Sequence, residues 1–250
     1  MCELLHINKH MAFHIASVAL AAALALGSAG AEAPLIEYKM HMAASPDAKR
    51  VALTFDACTK RVDNRILNAL VDNQIKATIF VSGRWLKRNS AAIATLKAHP
   101  DLFEIENHGA RHLAAVDDGR LVYGEKSAGS AEAIKQEILD GAAAVHREFD
   151  VEPLWYRGAA AEYTATSMSL IKEMGVKLAG FTFTGDAGAT YSAAMAAKVV
   201  GAAKDGDVIL AHINHPEKPA GAGVVEGILR LKAEGFEFVK LDQGFLVEGL

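Results

Sequence analysis

From Val51 onward, short apolar runs alternate with longer segments of helical period. The runs are VALTF (51–55), KATIFV (76–81), LFEIE (102–106), PLWY (153–156), VKLAGFTF (176–183), DVILAH (207–212) and FEFVKL (236–241). Several are nearly continuous in apolar residues, as strands covered on both faces are. Between them, Ile66, Leu67, Leu70 and Val71 share one helix face, and Ile134, Ile138, Ala142, Val145 and Phe149 share another. Leu170, Ile171 and Met174 form a third that stops at Gly175. Seven strands alternating with about six helices predict an α/β fold, either an open parallel sheet or a closed β/α barrel. Residues 109–129 show neither period and read as an extended loop, and residues 34–49 read as an N-terminal arm. Nothing in composition divides residues 50–250, which read as one domain.

The start of the chain has a different pattern. After a polar stretch containing Lys9, the segment IASVALAAALALGSAGAEA (15–33) is a short apolar run ending in small residues, with A-x-A frames at Ala29-Gly30-Ala31 and Ala31-Glu32-Ala33. It falls short of the roughly 20 apolar residues that a spanning helix needs. Residues 1–33 therefore read as a secretory signal peptide, which makes the protein secreted, in the periplasm, and free of the membrane once cleaved. Cleavage removes Cys2 and leaves Cys58 without a disulfide partner, so stability must come from the core. The chain is 51% hydrophobic, which suffices for one sizeable core, and its formal net charge of -4 excludes an electrostatic nucleic-acid binder.

In parallel α/β architectures the loops that follow the strands converge on one rim and carry the chemistry. Here VALTF is followed by Asp56, LFEIE by Asn107, His108 and His112, PLWY by Arg157, and VKLAGFTF by Asp186, while DVILAH ends in His212. Each has an ordinary explanation when taken alone; an acid after a strand is often the N-cap of the next helix. His108 and His112, four residues apart, can reach one ion from a helical turn or a tight loop. A nucleophile elbow, a phosphate-binding loop and a dinucleotide fingerprint are all missing from the sequence.

Taken in order, these segments resemble the motifs of the NodB-like polysaccharide deacetylases, carbohydrate esterase family four. TFDACT resembles the first, usually T-F-D-D-G, and EIENHGARH resembles the second, an H-[ST]-x-x-H. YRGAAAEYT resembles the third, normally R-x-P-[YF]-G; FTGDAGAT resembles an acidic fourth motif and DVILAH the L-x-H of the fifth. The resemblance covers roughly Val51 to Leu241. It implies a distorted seven-stranded β/α barrel and a metal-dependent hydrolase that removes acetyl groups from an N- or O-acetylated glycan such as chitin, peptidoglycan or xylan, with the amide the preferred bond. It makes Asp56 the general base, His108 and His112 metal ligands and His212 the general acid, with Arg157 and Asp186 tuning the base and the acid.

The first, third and fourth motifs diverge. Where the family has a second aspartate as its third metal ligand, this chain has Ala57. Asp56 itself, Cys58 or water can complete the site, and Asp56 is the expected third ligand. These donors suit Zn2+ better than Mg2+ or Ca2+, which take more oxygens. GAAAEY lacks the proline and aromatic that shape one wall of the family's groove, leaving Tyr163 as a candidate for that wall, and His215 follows the fifth motif as a turn residue or an extra ligand. The competing expectation is a metal-free barrel of the same fold that binds cell-wall glycan without hydrolysing it.

Overall fold

The computed structural model describes residues 32–43, 45, 47–243 and 246–248. The signal-peptide reading falls on residues 1–33, of which 1–31 lie outside the described residues. Among the described residues, no helix is long and apolar enough to cross a membrane.

The main sheet contains β1 (Arg50–Ala57), β2 (Ala77–Val81), β3 (Phe103–Asn107), β4 (Trp155–Tyr156), β5 (Lys177–Leu178), β6 (Phe183–Thr184), β7 (Val208–His212) and β8 (Glu237–Val239). Its order is β5-β4-β3-β2-β1-β7-β6, with β8 paired to the start of β1 and every pairing parallel. All seven apolar runs are represented, and VKLAGFTF is divided into β5 and β6. Those two pieces lie at opposite ends of the strand order, yet only residues 179–182 separate them. The five steps from Leu178 to Phe183 span at most about 18 Å, so the sheet has to curl until its two edges approach.

The break in VKLAGFTF has a cause in the N-terminal arm. Met40 N–H donates to Phe181 O at 3.2 Å, and Thr182 Oγ1 donates to Met40 O at 3.1 Å. A Cβ on Gly180 would lie 2.3 Å from Tyr38 O, so the arm can pass this close only over a glycine. The arm is further held by Ile36–Glu37, antiparallel to Glu162–Tyr163.

Alternation along the strands sorts the core into two layers. Val51, Leu53, Phe55 and Ala57 of β1 join Ile79, Val81, Ile209 and Ala211 in the cluster beneath the helices. Ala52, Phe80, Val208 and Leu210 join Met40, Met42 and Trp155 inside the curl. Helices α1 (Asn64–Asp72), α2 (Ser90–Ala98), α3 (Ala131–Phe149), α5 (Ala193–Val200) and α6 (Ala220–Ala233) pack on the outer layer, while α4 (Ala165–Glu173) packs with the first half of α3 against Tyr156 and Tyr163. Four of these six start on a side-chain cap: Asp63 accepts from Arg65 N–H, Ser130 from Ala133 N–H and Ser192 from Met195 N–H, and Thr164 and Ser167 form a capping box. Since α1 is capped by Asp63, the capping explanation for Asp56 does not apply.

Candidate active site

The inward alternation of β1 continues past its end: Thr54, Asp56 and Cys58 all reach the interior of the curl, while Ala57 lies in the outer apolar layer. Asp56 is directly opposite His212 in the β1–β7 register. Residues paired this way project to the same face, about 4.8 Å apart.

Asp56 is buried, and its Oδ1 accepts from Arg157 Nη1 at 3.0 Å. Arg157 is itself fully buried and uses the rest of its fork on the interior: Nη1 also reaches Thr54 Oγ1 at 2.9 Å, Nη2 donates to Gly180 O at 2.8 Å and Nε donates to Ala179 O at 3.3 Å. Its guanidinium carbon lies 4.3 Å from the Phe80 ring centroid. The break at residues 179–182 supplies two of these carbonyls. Burial alone would raise the Asp56 carboxyl, but the positive charges of Arg157 and His212 and the Arg157 hydrogen bond hold the group below its ordinary value. Asp56 is therefore an ionised carboxylate with one oxygen fixed.

His108 is buried, with Nδ1–H donating to Arg157 O at 2.7 Å, which turns Nε2 toward Cys58 Sγ at 3.6 Å and Asp56 Oδ2 at 3.9 Å. Burial pulls the ring down to about 4, so it is neutral, with its Nε2 lone pair facing the Cys58 thiol. The His112 ring lies edge-on to it, centroids 5.0 Å apart, with its own Nδ1 3.2 Å from Glu125 Oε2. Cys58 Sγ and one nitrogen from each ring lie within 4.8 Å of one another, and all three residues are buried. Tetrahedral zinc holds such donors about 3.3–3.8 Å apart, so the cluster can hold the ion after small adjustments. Burial pushes the Cys58 thiol well above its usual range. The free thiol is thus protonated, and a metal would have to displace that proton.

His212 Nδ1 is 3.0 Å from Asp186 Oδ1, and its backbone N–H donates to Asp186 Oδ2 at 2.7 Å. Burial works against the imidazolium, but the Asp186 charge and hydrogen bond prevail and raise the ring to about 9. His215, 6.0 Å from His212 between ring centroids, leans instead toward Glu217 and Lys60 at the surface.

Asp56, Cys58, His108, His112, Arg157, Asp186 and His212 thus gather at one end of the barrel. Tyr163 takes no part in a groove wall: it is fully buried, and its hydroxyl oxygen accepts from Gly158 N–H at 3.0 Å. Two carboxylates escaped the sequence reading. Glu125 comes from a stretch without period, and no local signal ties it to His112. Glu137 is buried in α3 and accepts from Arg111 N–H at 2.7 Å and Leu113 N–H at 3.2 Å, bracing the histidine loop. An acid aligned with the apolar stripe of α3, one residue before Ile138, was the signal available for Glu137.

A family model described as polysaccharide deacetylase matches residues 43–179, more than half of the chain. The peptidoglycan-N-acetylglucosamine deacetylase PgdA of Listeria monocytogenes serotype 1/2a (strain 10403S) is 25% identical over 197 residues, which are 78% of this chain and 38% of that protein. The chain therefore spans about two fifths of the length of this curated relative. Among solved structures, a T48 deacetylase with substrate superposes with TM-score 0.61 at 25% identity, covering 78% of this chain and 90% of that one. A carbohydrate esterase family four pseudoenzyme from Bacillus anthracis superposes with TM-score 0.61 at 18% identity, covering 80% of this chain and 66% of that one. At that identity the likeness is one of fold, and the chemistry has to be argued from side chains.

Proposed function

The chain belongs to the polysaccharide deacetylase family, and from that premise we propose that it hydrolyses the acetamide of an N-acetylated glycan of the peptidoglycan or chitin class, outside the cytoplasm, with a zinc ion held by Cys58, His108 and His112. One thiolate and two imidazoles form a donor set that favours zinc over magnesium or calcium. When bound, the ion supplies an electrophile for the acetyl carbonyl and an acidified water. Asp56 Oδ2 would take a proton from the attacking water, while Arg157 fixes Oδ1 and keeps the carboxylate ionised. His212 gives its Nε2 proton to the departing nitrogen, with Nδ1 held by Asp186 so that Nε2 is the nitrogen left to act. In this reading the roles of base and third ligand fall to different residues, Asp56 and Cys58, where Asp56 was expected to fill both.

The observation that carries the proposal is the cross-strand register of Asp56 with His212, which sets a base and an acid side by side next to three metal-binding donors. The test is acetate release from acetylated chitooligosaccharide and peptidoglycan, with metal analysis of the same preparation. Near-stoichiometric zinc is expected, along with loss of acetate release on chelation and in Asp56→Asn and His108→Ala. Full activity in either variant would overturn the mechanism. Protein that carries no metal and releases no acetate, yet binds the same glycans, would be the metal-free binder, the reading that Ala57 favours.

A further inference from the structure

Residues 114–128 form a loop closed by the Ala114–Ser127 bridge and carrying a two-residue hairpin, Leu121–Val122 against Glu125–Lys126. Tyr123 and Gly124 at its tip both have positive φ, 50° and 84°, as a type I′ turn requires. Glycine accepts this backbone readily, whereas an aromatic residue seldom does. The Tyr123 ring is not held there by packing, because the residue is 82% exposed and Leu121 beside it is 65% exposed. What fixes the ring is its hydroxyl, which donates to Glu162 Oε1 at 3.0 Å. Val122 anchors the hairpin from beneath, buried with Ala114 and Val116. On the returning strand, Glu125 Oε2 accepts from His112 Nδ1 at 3.2 Å.

One short hairpin therefore carries a tethered, outward-facing aromatic and, two residues on, the carboxylate that orients a metal-binding imidazole. A tyrosine ring already held in place binds at low entropic cost, and its electron-rich face suits the weakly positive C–H groups of a sugar ring. A carboxylate on the outer nitrogen of a ligating histidine fixes its tautomer and strengthens it as a donor. We propose that the Leu121–Lys126 hairpin is the substrate lip of the site: a pyranose ring of the acetylated glycan stacks on Tyr123, and Glu125 is a positioning residue for His112. The inference rests on the deacetylase reading and names where that substrate is held.

The test does not need turnover. An N-acetylchitooligosaccharide is titrated calorimetrically into metal-free protein. Tyr123→Ala is expected to weaken binding about ten-fold, and Tyr123→Phe, which keeps the ring and loses the tether that holds it, to fall between Tyr123→Ala and the wild type. Wild-type affinity in Tyr123→Ala, or no oligosaccharide binding by the wild type, would overturn the lip. In parallel, zinc affinity is measured by competition with a chromogenic chelator. Glu125→Gln is expected to lose about ten- to a hundred-fold, and unchanged affinity would overturn the positioning role. Because both readouts are equilibrium binding, a failure here is separate from a failure to release acetate.

Discussion

Arg157 Nη1 donates to Asp56 Oδ1 at 3.0 Å, with both side chains buried. The pair joins the end of β4 to the end of β1 across the interior, and removing one partner leaves the other charge buried and uncompensated. Arg157→Met should therefore destabilise the fold by about 3–5 kcal/mol, measured by urea unfolding, as well as stop acetate release. A variant of wild-type stability would show that the Asp56 charge is compensated by groups other than Arg157.

His212 acts as an acid only while its ring carries a proton, and Asp186 raises the ring to about 9. Activity should persist through neutral pH and fall as pH rises past about 9. Asp186→Asn removes the stabilising charge but leaves the burial, so the ring should drop below its ordinary value and the alkaline limb should move to below neutral pH. The check is a kcat profile of the zinc-loaded enzyme; an unshifted limb would assign the acid to another group.

Cys58 Sγ lies 3.6 Å from His108 Nε2. If the thiolate is a ligand, the cobalt-substituted protein should show a sulfur-to-metal charge-transfer band, and Cys58→Ser should abolish it while weakening zinc binding at least about ten-fold. A cobalt spectrum without that band would return the third position to Asp56 or to water.

Gly141 lies within α3 against the histidine loop, where an added Cβ would stand 2.2 Å from Asn107 Oδ1 and 2.8 Å from Gly109 Cα. Asn107 in turn donates to Ile138 O at 2.9 Å and accepts from Gly109 N–H at 2.8 Å. Although alanine is the better helix former, Gly141→Ala should push helix and loop apart and cost about 1–3 kcal/mol. A lowered melting temperature together with weaker zinc binding is the expected result; unchanged zinc affinity would mean that the loop does not depend on this contact.

Much of the rim was legible beforehand, and the reason is local. Strand ends are marked by where an apolar run stops, and the polar residues just after it must lie on the rim of a parallel sheet. Asp56, His108, Arg157, Asp186 and His212 could be placed there without coordinates, and five motifs in order pointed to one family. Glu125 could not be, since residues 114–128 have no period and its contact with His112 closes across a loop. Tyr163 misled for a related reason: an aromatic near a degenerate motif gives no sign of whether it faces a groove or the core.

By itself the sequence determined the seven apolar runs and their order along the chain, the helical segments between them and which charged groups follow each run, because side-chain period and chain order are properties of neighbouring residues. Tertiary structure alone decided that Ala57 faces the apolar layer while Cys58 faces the histidines, that the arm splits the fifth run at Gly180, and that Arg157 spans the interior to Asp56. These depend on pleat direction at a strand end and on close approaches between distant segments, which become defined only once the sheet has curled.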